Sequence, residues 1–124
     1  MGFITDRKRA AGLGSARDGV HHWWHQRVSA VALIGLAPLF AIPFAYNLGQ
    51  GHERVIAAYG HPVNALIAVA FFGVAFYHLK LGLQVVIEDY ISSNGLRTAL
   101  LLGSAFFCWS SALIGIFAVL RIAL

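Results

Sequence analysis

The feature that most constrains this chain is a set of three long apolar segments joined by short polar connections. They cover about residues 28–48, 62–88 and 97–123. A helix that crosses a bilayer needs about 20 predominantly apolar residues, because every backbone polar group has to be satisfied within the segment. The sequence therefore predicts an all-α integral membrane protein with three transmembrane helices.

Composition excludes the other broad classes of protein. Of the 124 residues, 59% are hydrophobic and only 11% are charged. A soluble domain of this size has too little interior to hide so much apolar surface. A disordered chain would be poor in apolar residues and rich in charge. The single cysteine, Cys108, lies inside an apolar segment, so the chain cannot form an internal disulfide.

A polar region of 27 residues precedes the first span. It begins as a basic arm and ends, over residues 21–27, in the aromatic and polar collar His-His-Trp-Trp-His-Gln-Arg. Such residues are typical of the membrane–water interface. We therefore divide the chain into an arm and collar, residues 1–27, and a three-helix anchor, residues 28–124. The first apolar segment is longer than the core of a signal peptide, so we expect the whole chain to be mature protein.

Positive charge is distributed unevenly between the two sides of the predicted bundle. The chain has nine Lys and Arg against five Asp and Glu, a formal net charge of +4. With the N-terminus inside, the inner side carries six of these cations and the outer side two. The inner six are Arg7, Lys8, Arg9, Arg17, Arg27 and Arg97, and the outer two are Arg54 and Arg121. The positive-inside rule predicts an inner N-terminus and an outer C-terminus. The cations flank a membrane span, so they do not indicate a nucleic-acid partner.

The second span contains two ionisable residues, His78 and Lys80. Such groups are costly at bilayer depth and usually face a partner, a cavity or a cofactor. At about 100° per residue, His78 and Asp89 lie on one helix face about 16 Å apart along the axis. Gly82 and Val85 lie between them on that face. Along this face, His78 is a possible ligand, Gly82 leaves a gap without a side chain, Val85 is apolar and Asp89 is acidic.

These residues leave several functions open. His78 is either a hydrogen-bonding residue between helices or a haem ligand, since histidine is a common axial ligand of haem iron. Lys80 either extends toward the interface or pairs with an acidic group of a partner. The alternative function is that of a small transporter or channel subunit, with His78 and Lys80 on a proton or ion path.

The second span and the collar resemble a known family. Residues 78–90 read His-Leu-Lys-Leu-Gly-Leu-Gln-Val-Val-Ile-Glu-Asp-Tyr, which is similar to the second-helix signature of the succinate dehydrogenase membrane-anchor family, in its smaller D-type chain. Upstream, Gly19-Val20-His21 and Arg27-Val28-Ser29-Ala30 resemble the start of that family's first helix. The order, the spacing and the three-span length agree over about residues 12–124.

The resemblance implies roles for five residues. His78 would be one axial ligand of a haem b iron, and the second ligand would come from a partner C-type chain. Tyr90 and Asp89 would belong to a quinone site. The alternatives are an interfacial aromatic residue for Tyr90 and a solvated acid for Asp89. Arg27 and His21 would approach a haem propionate or the quinone. For Arg27 a plain positive-inside anchor remains the alternative.

The resemblance also implies the rest of the assembly. Partners would be a flavoprotein subunit, an iron–sulfur subunit, the C-type cytochrome b anchor subunit and membrane lipid. FAD and iron–sulfur clusters would sit in the partner subunits only, because this chain lacks a dinucleotide fingerprint and four cluster cysteines. The substrate would be a quinone of the ubiquinone type. The location would be a bacterial inner membrane, or the mitochondrial inner membrane in a eukaryote.

Overall fold

A computed structural model describes residues 5–12 and 19–124, all of whose regular structure is helical. The helices are α1 (Asp6–Ala11), α2 (Gly19–Asn47), α3 (His52–Gly60), α4 (Pro62–Tyr90) and α5 (Asn94–Ala123). Three of them, α2, α4 and α5, are long and apolar enough to cross a membrane. The prediction of an all-helical chain with three membrane spans is confirmed.

The boundaries of the long helices follow from local chemistry. Helix α4 starts with Pro62 in its first turn, where the missing backbone N–H costs nothing. Its end, like that of the predicted span, falls near residue 90, where Ile91 adopts an extended conformation. Helix α2 starts at Gly19, nine residues before the predicted span. The collar is therefore the N-terminal part of a continuous helix.

A short helix, α3, occupies the connection between the first two spans. It follows a turn at Gly49 and Gly51, whose φ angles of 77° and 90° suit glycine. Tyr59 of α3 is buried in the core cluster with Ala65, Ala68 and Val119 of the neighbouring helices. Burial raises the pKa of the Tyr59 phenol, which favours its neutral form. Helix α3 thus packs against the end of the bundle opposite to Tyr90.

Helix α4 is the centre of the bundle, since it packs against both α2 and α5. At the α3 end of the bundle, aromatic rings join α2 to α4. Phe40 stacks on Phe71 with ring centroids 4.4 Å apart and meets Phe72 edge-on at 5.5 Å. On the other side of Phe72, α5 presents Gly115, where a Cβ atom would lie 2.7 Å from the ring. The glycine therefore allows α4 and α5 to approach closely.

The described part of the chain has little interior of its own. Few of its apolar residues are buried, namely Tyr59, Ala65, Ala68, Leu81, Cys108, Ala112 and Val119. Cys108 is 1% exposed, in agreement with its place in an apolar segment. Most large apolar side chains of the three spans face outward, which suits contact with lipid or with partner helices.

Candidate functional site

His78 lies where α4 packs against α2, toward the collar end of the bundle. Its ring is half-buried and both ring nitrogens contact α2. The Nδ1 atom is 2.9 Å from the hydroxyl oxygen of Ser29, and the Nε2 atom is 3.3 Å from the amide nitrogen of Gln26. Both ring nitrogens of His78 therefore join α4 to α2 in this structure.

Ser29 is the only buried polar residue among those that the structure describes, with 5% of its surface exposed. Its hydroxyl donates to the backbone carbonyl of His25 at 2.7 Å and is 3.1 Å from that of Gln26. One turn earlier, His25 Nδ1 is 2.6 Å from the hydroxyl of Tyr77 on α4. The His25–Tyr77 and Ser29–His78 contacts thus join α2 to α4 at two successive residues of α4.

A cleft of about 670 Å³ opens between α2 and α4 beside this contact. Its lining residues are Gly19, His22, Trp23, Gln26, Arg27, Gly82, Gln84, Val85 and Glu88. Gly82 and Val85 of the predicted helix face thus face a shared space with Arg27. At Gly82, an added Cβ would lie 3.6 Å from the Gln26 amide nitrogen. The predicted gap beside the helix exists, and the Gln26 side chain covers it.

Two buried polar atoms at this cleft have no hydrogen-bond partner, His22 Nε2 and Gln26 Oε1. Buried polar atoms without partners are rare because desolvation costs about 1–3 kcal/mol each. The Arg27 guanidinium lines the same cleft and lies 5.6 Å from the centre of the Trp23 ring. The Arg27 guanidinium can donate to a ligand that carries a carboxylate or carbonyl oxygen, whereas Gln26 Oε1 can only accept from a donor group.

The donor set also limits what the site can hold. Within residues 5–12 and 19–124, no group of three or more His, Cys, Asp or Glu side chains could hold a metal ion. His78 can offer a single nitrogen to a metal. The residues therefore fit a metal that brings most of its own ligands, as haem does, better than a bare ion.

The structure separates the other predicted site residues from the cleft. Asp89 and Tyr90 are exposed at the end of α4 and do not line it, whereas Glu88 does. Tyr90 is 80% exposed, and its Cα lies about 18 Å along the helix axis from that of His78. His21 is exposed, and the next residue, His22, lines the cleft instead.

Lys80 faces away from His78, as its helical position predicts. Its ammonium donates to Gln84 Oε1 at 3.5 Å, and Gln84 Nε2 donates to Glu88 Oε1 at 2.9 Å. Lys80 and Gln84 also line a groove against α5. Because His78 contacts α2 and Lys80 lies beside α5, the two residues do not form the common path that the transporter alternative requires.

Sequence reasoning missed the polar residues of α2 that contact His78. Gln26 and Ser29 are three residues apart, a spacing that places both on one helix face. Ser29 stands in the segment that carries the family resemblance, yet the resemblance assigned it no role. Two polar residues on one face at the start of an apolar span indicate a polar contact with a neighbouring helix. In α4 the histidine available for such a contact is His78.

Comparison with known proteins decides the family. The model of the succinate dehydrogenase/fumarate reductase transmembrane subunit matches residues 1–115. This chain belongs to that family. A succinate dehydrogenase hydrophobic membrane anchor subunit from Paracoccus denitrificans is 40% identical over all of this chain and 95% of its own length. The corresponding subunit from Rickettsia bellii is 36% identical over 85% of this chain and 84% of its own. No solved structure matches significantly.

The match makes this chain an integral membrane anchor subunit of a succinate dehydrogenase complex. The predicted family is confirmed, and the anchor hypothesis is favoured over a transporter. The enzyme's activity therefore belongs to the complex, in which an anchor works with the other subunits.

Proposed function

We propose that this anchor subunit is the D-type chain of a succinate:quinone oxidoreductase and helps to bind both haem b and quinone. The observation that carries the proposal is His78, a lone half-buried histidine inside a span, beside a cleft with Arg27 and two unpartnered polar atoms. The D-type assignment rests on the spacing from His78 to Asp89 and Tyr90, which resembles that chain's signature.

His78 would hold haem b through one ring nitrogen. The histidine of α2 nearest in level, His25, contacts Tyr77 through Nδ1. The other axial ligand would come from the C-type partner, as the family resemblance implies. Arg27 would pair with a propionate, since its fork of N–H donors matches a carboxylate. When bound, haem b supplies a one-electron carrier between helices. His21 is exposed and can approach the cofactor or the quinone only as part of a subunit interface.

Tyr90 and Asp89 would serve the quinone at the end of α4. The Tyr90 hydroxyl is exposed and can donate a hydrogen bond to a quinone carbonyl, which stabilises negative charge that develops there on reduction. Asp89 would position an arginine of a partner chain or help proton uptake, because reduction by two electrons consumes two protons. The quinone would be of the ubiquinone type.

The remaining chemistry would belong to partner chains. A flavoprotein with FAD would oxidise succinate, and an iron–sulfur protein would pass the electrons to the end of the bundle that carries Tyr90. The C-type anchor and lipid would cover the apolar surface that α2, α4 and α5 leave exposed. The complex would lie in a bacterial inner membrane, or in the mitochondrial inner membrane of a eukaryote.

The orientation of the chain in the membrane can be tested with topology reporters. The N-terminus and the connection at residues 91–93 should face inward, because six Lys and Arg flank that side and two flank the other. A topology reporter fused after Asn94 should behave as inside, and one fused after Gly51 as outside. An outward Asn94 reporter would contradict this orientation and an inward-facing quinone site.

Purification through an affinity tag on this chain tests the assembly. We expect three further subunits to co-purify, a flavoprotein, an iron–sulfur protein and a second membrane anchor. The purified complex should reduce a soluble ubiquinone analogue with succinate as donor. A homo-oligomer of this chain without flavin would contradict the proposed function.

A further inference from the structure

The hydrogen bonds around Ser29 define which ring nitrogen of His78 carries the proton. A serine hydroxyl has one proton, and in Ser29 that proton is directed to the backbone carbonyl of His25 at 2.7 Å. In any further hydrogen bond, the Ser29 hydroxyl oxygen can therefore only accept. His78 Nδ1, at 2.9 Å, must therefore be the donor in that contact.

The other ring nitrogen of His78, Nε2, also contacts α2. Its neighbour is the amide nitrogen of Gln26 at 3.3 Å, which can only donate. With the proton on Nδ1, His78 Nε2 can accept from this amide group. The Ser29 contact thus places a proton on Nδ1, and the Gln26 contact is compatible with that arrangement.

We propose that Ser29 is a positioning residue that holds His78 in the tautomer with its proton on Nδ1 and its Nε2 lone pair ready for a metal. The proposal rests on the proposed haem-binding function. Histidines that bind metals generally donate their other N–H to a fixed acceptor, which sets the ring orientation and raises the basicity of the ligating nitrogen. Ser29 suits this role because it is 5% exposed and its hydroxyl is tied to its own helix.

The Gln26 amide occupies His78 Nε2 as long as no haem is bound. Its amide nitrogen and an iron cannot use the same Nε2 lone pair, so the side chain has to leave that nitrogen when haem binds. Gln26 lines the cleft, and its own Oε1 has no partner. The amide can therefore turn into the cleft without breaking another side-chain hydrogen bond.

Haem retention and redox potential of the intact complex test the role of Ser29. In Ser29→Ala, haem affinity should fall roughly 10- to 100-fold, the usual cost of losing such a partner. Haem transfer to an excess of apomyoglobin should be faster, and the midpoint potential should rise because a less basic imidazole stabilises ferric iron less well. Ser29→Thr, which keeps the hydroxyl, should restore both values.

A matched control separates this role from helix packing. Ser104 of α5 also donates to a carbonyl of its own helix, Leu101 at 3.0 Å, without contacting a histidine. Ser104→Ala should retain haem like the unmodified complex. Should Ser29→Ala fail to assemble, Ser29→Cys keeps the size but weakens the acceptor, and it should show an intermediate effect.

Failure of the Ser29 proposal and failure of the haem-binding function would give different results. If the alanine variant, or the cysteine variant in its place, keeps the haem retention and potential of Ser104→Ala, Ser29 has no positioning role. A wild-type complex without haem would instead overturn the proposed function, and this inference with it.

Discussion

A complex carrying His78→Ala is expected to lose its haem, or to retain it with one axial ligand missing. The substitution removes the imidazole and, with it, the contacts to Ser29 and Gln26 that join α4 to α2. Assembly of the complex should weaken as well, because haem and these hydrogen bonds both hold helices together. The measurements are haem per complex and the low-spin signal in electron paramagnetic resonance.

A second histidine provides the control for this experiment. His52 is exposed on α3, toward the other end of the bundle, and His52→Ala should leave the haem signal unchanged. An unchanged low-spin spectrum in assembled His78→Ala would rule out His78 as the ligand. The axial nitrogens would then have to come from the partner chains.

Tyr90→Phe is expected to reduce quinone reduction by roughly ten- to a hundredfold, equivalent to about 1.4–2.8 kcal/mol of transition-state stabilisation. The variant removes one hydroxyl and keeps the ring at the end of α4. Because Tyr90 and His78 lie about 18 Å apart along the axis, the haem spectrum should be normal. Succinate oxidation with a soluble acceptor for the extrinsic subunits should also persist.

The matched control is Tyr46→Phe. Tyr46 is similarly exposed, 74% against 80% for Tyr90, but it lies at the opposite end of the bundle, near the end of α2. It should keep full quinone reductase activity. Full activity in assembled Tyr90→Phe would show that Tyr90 is only an interfacial aromatic residue, and the quinone site would then be built mainly from other chains.

The fold was largely predictable because a membrane span is encoded locally. Length and hydropathy located all three spans, and for α4 the predicted 62–88 differs from Pro62–Tyr90 by two residues. Hydropathy marks where a helix enters the membrane, which need not be where the helix begins. Helix α2 accordingly extends back to Gly19 through polar residues. Helix α3 has nine residues with polar ends and depends on packing of Tyr59, so no local pattern revealed it.

The sequence predicted part of the cleft lining on α4, but it predicted neither the exclusion of Asp89 and Tyr90 from the cleft nor the contacts from α2. Helical periodicity placed Gly82 and Val85 on the side of His78, and both line the cleft. The contacts from Gln26 and Ser29 depend on the rotation of α2 against α4, which the periodicity of either helix alone does not reveal. The same rotation brings His22, rather than His21, to the cleft.

The reduced-minus-oxidised absorption spectrum of the complex, purified through a tag on this chain, shows whether haem is present, the claim on which the proposed function depends. The central claim is that this anchor contributes His78 to a haem shared with a second anchor, close to a quinone site. We expect a b-type haem band with one haem per copy of this chain, in a preparation that reduces quinone with succinate. A preparation without a b-type band, or with clearly less than one haem per copy of this chain, would contradict it.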